Sequence, residues 1–119
     1  MSYNIDEITR HYAAAALWSS VDDNDDPLDE NYDLSDIDPD TLAAMRADCA
    51  AFVALADPLL IEKGLNSAKI GHDFWLTRNG HGVGFWDRGL GEVGDKLTEI
   101  GERFKGVDLY VGDDGRLYT

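Results

Sequence analysis

Between Gly71 and Asp87 the chain reads GHDFWLTRNGHGVGFWD, and this stretch holds two of the three tryptophans. Here local chemistry constrains the backbone most. His72–Arg78 has strand character, Asn79-Gly80-His81-Gly82 is turn chemistry, and Val83–Asp87 has strand character again. Asn-Gly between two apolar runs is the strongest short-range signal for a β-hairpin. A two-residue turn at Asn79-Gly80 sets Arg78 opposite His81, Leu76 opposite Val83 and Phe74 opposite Phe85. A four-residue loop slides the pairing by two and leaves the faces unchanged. In both registers Phe74, Leu76, Val83 and Phe85 line a core face, and Trp75 and Trp86 line the other.

The 119 residues suit a single domain with a core of its own, and 44% hydrophobic content is that of a globular chain. One cysteine excludes an internal disulfide framework and suits a reducing compartment. No apolar run approaches the length of a membrane span, and no basic-then-apolar leader opens the chain. A cytoplasmic protein away from membranes is the expectation.

Charge is the unusual property. The net charge is −14, and the first 64 residues carry 15 acids against 3 bases. Such a field repels nucleic acid and anionic membranes and attracts basic surfaces. Direct binding to DNA or RNA is disfavoured, because neutralisation of phosphates supplies that affinity.

Asn4–Ser19 reads as a first helix, with Asn4 and Glu7 in capping-box spacing and Ile5, Ile8, Tyr12 and Ala16 as its apolar stripe. Trp18 lies off that stripe. From Asp22 to Asp40 there are ten acids and no base. Tyr32, Leu34 and Ile37 punctuate this segment, and a purely solvated linker has no use for them, so Tyr32–Ile37 is expected to dock on the body. A second helix starts with Asp38 as N-cap and Pro39 at the first position, burying Leu42, Met45, Cys49, Phe52, Val53 and Ala56. Asp57-Pro58 is expected to end it and open a short third helix that Gly64 stops. Asn66–Ile70 then reads as a connector into the hairpin. After the glycine-rich Arg88–Gly94, Asp95–Lys105 reads as a helix. Val107–Val111 and Arg116–Thr119 read as strands that pair Val111 with Leu117 and Tyr110 with Tyr118. The fold class expected is α+β: residues 1–64 helical and acidic, packed on a hairpin-helix-hairpin over 65–119 that forms a ββαββ antiparallel sheet.

Four motifs invite a chemical reading. Gly89-Leu-Gly91-Glu-Val-Gly94 matches a dinucleotide fingerprint, with Asp113 and Asp114 near the expected ribose spacing. Asp87-Arg88 replaces the apolar strand end, however, and too little chain follows for a parallel sheet. In the expected hairpin His72 and His81 share a face about 10 Å apart by strand rise, with Asp73 on the opposite face, which does not converge on a metal. Asp22-x-Asn24-x-Asp26 opens like a calcium loop, but Pro27 stands where the sharp turn needs glycine and Asp33 where it needs glutamate. Cys49 reads as core, with no base beside it. Neither a cofactor nor a metal is expected, and no catalytic constellation names a reaction.

The hairpin motif GHDFWLTRNGHGVGFWDRGLGEVGDKLTE and the ending YVGDDGRLY resemble a small family found in bacteriophages, prophages and plasmids. The resemblance spans Gly71 to Tyr118 and implies a setting, not a mechanism. By analogy of class and charge, small acidic proteins of mobile elements act as anti-CRISPR and anti-restriction inhibitors. The acidic segment then has two readings, a solvated loop or a nucleic-acid decoy aimed at a basic groove. The expected partner is a basic nucleic-acid-binding host protein. Asp22, Asp23, Asp25, Asp26, Asp29, Glu30, Asp33 and Asp36 would steer it, and Trp75, Trp86, Tyr110 and Tyr118 would anchor it. Two alternatives stay open: a small nucleotide- or ligand-binding domain or enzyme using the Gly89–Gly94 loop, and a phage structural or assembly module. Homo-oligomerisation through the aromatic face would favour the second.

Overall fold

The computed structural model describes residues 3–80 and 84–119. Four helices carry the fold: α1 (Ile5–Ser19), α2 (Pro39–Glu62), α3 (Ser67–Arg78) and α4 (Glu92–Glu102). Short 3₁₀ turns lie at Leu28–Glu30, Leu34–Asp36 and Phe85–Asp87. The only sheet among the described residues is an antiparallel ribbon of β1 (Tyr110–Val111) and β2 (Leu117–Tyr118). The expected ββαββ sheet is therefore wrong, and α+β holds only loosely, for helices with one small ribbon.

The correction centres on the expected first hairpin strand, which is helix α3. Asn66 caps its start, the side chain accepting from the Lys69 amide at 2.9 Å. Asn79-Gly80 ends the helix. Gly80 has φ +67°, and its N–H donates to the Thr77 carbonyl at 3.2 Å, the bond of a glycine-terminated helix. A type I′ hairpin turn and a helix C-terminus both require a left-handed glycine, so the dipeptide does not distinguish them. Periodicity is no guide either, because α3 is enclosed and buries Asp73, Phe74, Trp75, Leu76, Thr77 and Arg78 in succession. The proposed partner strand also fails where it is described, since Phe85–Asp87 is a 3₁₀ turn. Val83 and His81 lie outside the described residues.

The N-terminal half follows its local signals more closely. Asn4 Oδ1 accepts from the Glu7 amide at 3.0 Å and starts α1. Asp38 Oδ2 caps α2 through the amides of Asp40 at 3.1 Å and Thr41 at 3.3 Å, with Pro39 at the first position. Pro58 does not break α2, which continues to Glu62. An interior proline costs about 3 kcal/mol in an isolated helix. Here Ala56 and Leu60, both fully buried, hold the last turns against the core. Helix α4 begins at Glu92, earlier than Asp95, with Gly91 at its N-cap.

Helices α1 and α3 touch at backbone distance. A Cβ on Gly71 would stand 2.3 Å from the Ile8 carbonyl oxygen and 2.7 Å from the Tyr12 amide nitrogen, so only glycine fits. The core assembles around this contact. Phe52 stacks on Phe74 at 4.3 Å, and Tyr12 meets Trp75 edge-on at 5.3 Å. Arg78 closes the far end of the core, lying over both the Phe74 and Phe104 rings at 5.7 Å. Its guanidinium donates to the Phe104 and Lys105 carbonyls at 2.7 and 2.8 Å, pinning the turn that follows α4. It also donates to Tyr12 Oη at 3.0 Å and Asp48 Oδ2 at 2.8 Å.

The ribbon pairs Tyr110 with Tyr118 and Val111 with Leu117, the register read from the turn chemistry. Leu117 in turn bridges Ile37, tying the end of the chain to the acidic segment. Among the described residues no helix is long and apolar enough to cross a membrane.

Candidate functional site

The acidic segment has a defined path. Val21 bridges Pro27, the Leu28 amide donates to the Ser20 carbonyl at 2.9 Å, and the Leu28 side chain is fully buried. Within the loop, Asp22 Oδ1 accepts from the amides of Asn24 at 2.8 Å and Asp26 at 3.1 Å. Further on, Asp33 and Asp36 form a capping box. Asp33 accepts from both the hydroxyl and the amide of Ser35, which hold its carboxyl below the usual carboxylate range. Ile37 is buried, and the Asp38 amide donates to the Leu117 carbonyl at 2.9 Å. Tyr32 and Leu34 pack against the core from partly buried positions. Asp22, Asp33, Asp36 and Asp38 thus fold the segment. The side chains of Asp23, Asp25, Asp26, Asp29, Glu30 and Asp40 are exposed and make no hydrogen bond or ion pair among the described residues.

The four expected aromatic anchors do not share a face. Trp75 is 1% exposed, with its indole N–H donating to Ser19 Oγ at 2.7 Å, so its place as an anchor is corrected. It sits on the half of α3 where every side chain from Asp73 to Arg78 is buried. Trp86, 40% exposed, covers Gly84 on another element, the Phe85–Asp87 turn. Tyr110 is 52% exposed and Tyr118 half-buried, their rings 6.2 Å apart. Tyr118 donates to Asp114 Oδ2 at 2.5 Å, which pushes the phenol up to about 12 and holds the carboxyl below its ordinary range. Tyr110 borders the acidic loop directly. With Asp22, Asp23 and Tyr32 it lines a cleft of about 360 Å³.

The structure also assembles a cluster that strand geometry would have dispersed. Asp73, 2% exposed, accepts from Arg88 Nε at 3.0 Å and Nη2 at 2.7 Å. His72 Nδ1 lies 3.2 Å from Asp73 Oδ1, and the His72 ring lies 5.8 Å from that of Trp18, tilted by 35°. These groups open on a cavity of about 590 Å³ between α1 and α3, which His11 and Lys69 also line. The sequence carried one available signal. His11, Ala14, Ala15 and Trp18 recur at helical spacing, on a face of α1 with two conspicuous polar or aromatic side chains and only methyls between them.

The glycine loop does not form a dinucleotide cradle. A 3₁₀ turn, not a strand, precedes it, and Gly94 is packed where a Cβ would stand 2.9 Å from the Phe85 carbonyl oxygen. Asp114, one of the two candidate ribose ligands, is engaged with Tyr118 and the Arg116 amide. Among the described residues, no three histidine, cysteine or acidic side chains gather for a metal. Cys49 is buried in the core, and burial pushes its thiol up to about 12, away from nucleophilic use.

Comparison with protein-family models, with curated proteins and with solved structures returned no match.

Proposed function

We propose that this chain is a non-enzymatic, cytoplasmic inhibitor carried by a mobile element, which binds a basic, nucleic-acid-binding host protein in place of its nucleic acid. The observation that carries this reading is the built path of the acidic segment. Leu28 and Ile37 are inserted in the core on either side of exposed carboxylates, so negative charge is presented from an ordered backbone. Ordering costs met during folding are not charged to binding, which favours a preorganised decoy over a flexible acidic tail. The cleft of Tyr110, Tyr32, Asp22 and Asp23 adds aromatic surface beside carboxylates, a setting suited to an arginine or lysine side chain. Of the four expected anchors, Tyr110 and Tyr118 are kept; Trp75 is buried, and Trp86 sits apart on the Phe85–Asp87 turn. By the analogy of charge and setting, the host protein is a defence nuclease or its recognition complex, as for anti-CRISPR and anti-restriction inhibitors.

The test compares the wild-type protein with Asp23→Asn/Asp25→Asn/Asp26→Asn and with Tyr110→Ala. Tagged protein is incubated with host lysate at low and high salt, and the captured proteins are identified. The reading expects one nucleic-acid-binding complex, released by salt and by competing DNA or RNA. Against the purified target, the triple variant should associate more slowly with a flatter salt dependence, and Tyr110→Ala should dissociate faster. Full inhibition by both variants, or no such complex, defeats it.

A further inference from the structure

We propose that the groove between α1 and α3 is a binding site for a small organic anion with a flat apolar body. Its carboxylate or phosphate head would lie at Lys69 and Arg88, and its body over the alanine floor against Trp18. This goes beyond the acidic-face reading, and the two surfaces meet at Asp29 on the groove's rim.

The floor follows from the Gly71 contact. Because the two helices meet at backbone distance, the side chains flanking the contact define a groove, and Ala14, Ala15 and Ala68 give it a shallow lining of methyl groups. Its volume of about 590 Å³ falls within the roughly 300–1,000 Å³ common for small-ligand sites. Trp18 stands on this lining and is 55% exposed, yet its ring is held against His72. A large aromatic surface left uncovered beside a groove is suited to a planar ligand.

Asp73 is charged, buried and deep in the helix pair. A buried ion pair is weak evidence for stability, since apolar side chains of similar volume often serve as well. What this pair does is orient. Asp73 takes Nε and Nη2 of Arg88, leaving Nη1 without a partner among the described residues, and takes Nδ1 of His72, leaving the other ring nitrogen. Lys69, exposed on the same lining, makes no ion pair among the described residues. Asp29 is the one lining acid without a cationic partner among the described residues, so an anionic head belongs beside Lys69 and Arg88 and not at that rim. The net charge of −14 does not forbid it, because exposed charges more than about 8 Å away are largely screened at physiological ionic strength.

The test titrates the full chain with phenyl phosphate and benzoate, following heat and tryptophan fluorescence, with phenol and inorganic phosphate as controls. At least one of the two aromatic anions should bind saturably, and about tenfold or more tighter than either control, as expected for charge-assisted hydrogen bonds added to apolar contact. The tighter of the two names the head. Lys69→Glu and Trp18→Ala change exposed side chains, so the fold should persist by circular dichroism while affinity falls about tenfold or more. Absence of saturable binding overturns the proposal. So does phenol or inorganic phosphate binding as tightly as the anions, or wild-type affinity in both variants.

Discussion

Arg78 and Asp48 meet at 2.8 Å across the α3–α2 boundary, and the two ends of this bond are unequally solvated: the arginine side chain is 3% exposed and the aspartate 43%. The arginine is therefore the structural partner. It gathers Tyr12 of α1, two carbonyls of the turn after α4 and two aromatic faces around one guanidinium.

Truncating Arg78 to alanine should cost about 3–5 kcal/mol, because it strands buried acceptors and removes the stem between Phe74 and Phe104. Asp48→Ala should cost less, about 1.5–3 kcal/mol, since it removes the guanidinium's one anionic acceptor but leaves two carbonyls and the Tyr12 hydroxyl in place. Urea unfolding monitored by far-ultraviolet dichroism ranks the two; equal losses would contradict the asymmetry.

The tryptophans separate along the same line. Trp75→Ala empties a buried site and leaves Ser19 without its donor, an expected loss of about 3–5 kcal/mol. Trp86→Ala should cost about 1 kcal/mol or less, as for surface changes away from packed features. Thermal unfolding of both variants tests this. A near-neutral Trp75→Ala would place that side chain outside the core.

Gly71 and Gly80 offer a sharper pair, because glycine is needed for different reasons. Gly71→Ala pushes a methyl into the α1 backbone, and moving a helix is dearer than bending a side chain. The expected cost is at least about 1–3 kcal/mol, the range for overpacking. A Cβ on Gly80 meets nothing within 4 Å, so Gly80→Ala bears only the strain of its positive φ, roughly 1 kcal/mol. Urea midpoints of the two variants should fall in that order, and the reverse order would deny the helix contact.

Cys49 and Tyr12 make stability depend on alkaline pH. Burial raises the folded thiol from 9.0 to about 12 and raises the Tyr12 phenol as well, against a partial lowering by Arg78. A group raised by folding contributes stability that is complete below its unfolded value and is lost as pH climbs toward the folded one. Unfolding free energy should therefore fall progressively from pH 9.0 toward about 12. Near pH 8 the native thiol should resist iodoacetamide, with labelling in added urea tracking the unfolded population. Rapid native labelling would contradict the burial.

Local signals determined what depends on a few neighbouring residues. Asn4, Asp38 and Pro39 start their helices because a side-chain acceptor, or a missing N–H, meets the free amides of the first turn wherever that turn sits. The Val111–Leu117 and Tyr110–Tyr118 register follows from turn chemistry for the same reason. Tyr32, Leu34 and Ile37 marked the acidic segment as attached, since an apolar side chain in a run of aspartates needs somewhere to be buried.

Tertiary structure decided the rest. Asn79-Gly80 supplies a left-handed glycine that serves a hairpin or a helix end equally, and the enclosure of α3 by α1, α2 and α4 selects the helix. That choice buries Trp75, carries α2 through Pro58 into a shared core, and turns His72 and Asp73 from opposite faces of a strand into neighbours. Helix α3 then aims Asp73 at an arginine fifteen residues further along the chain. Periodicity reads a boundary between core and water. From Asp73 to Arg78, α3 is surrounded by protein and has no such boundary, so that half of its sequence shows no stripe.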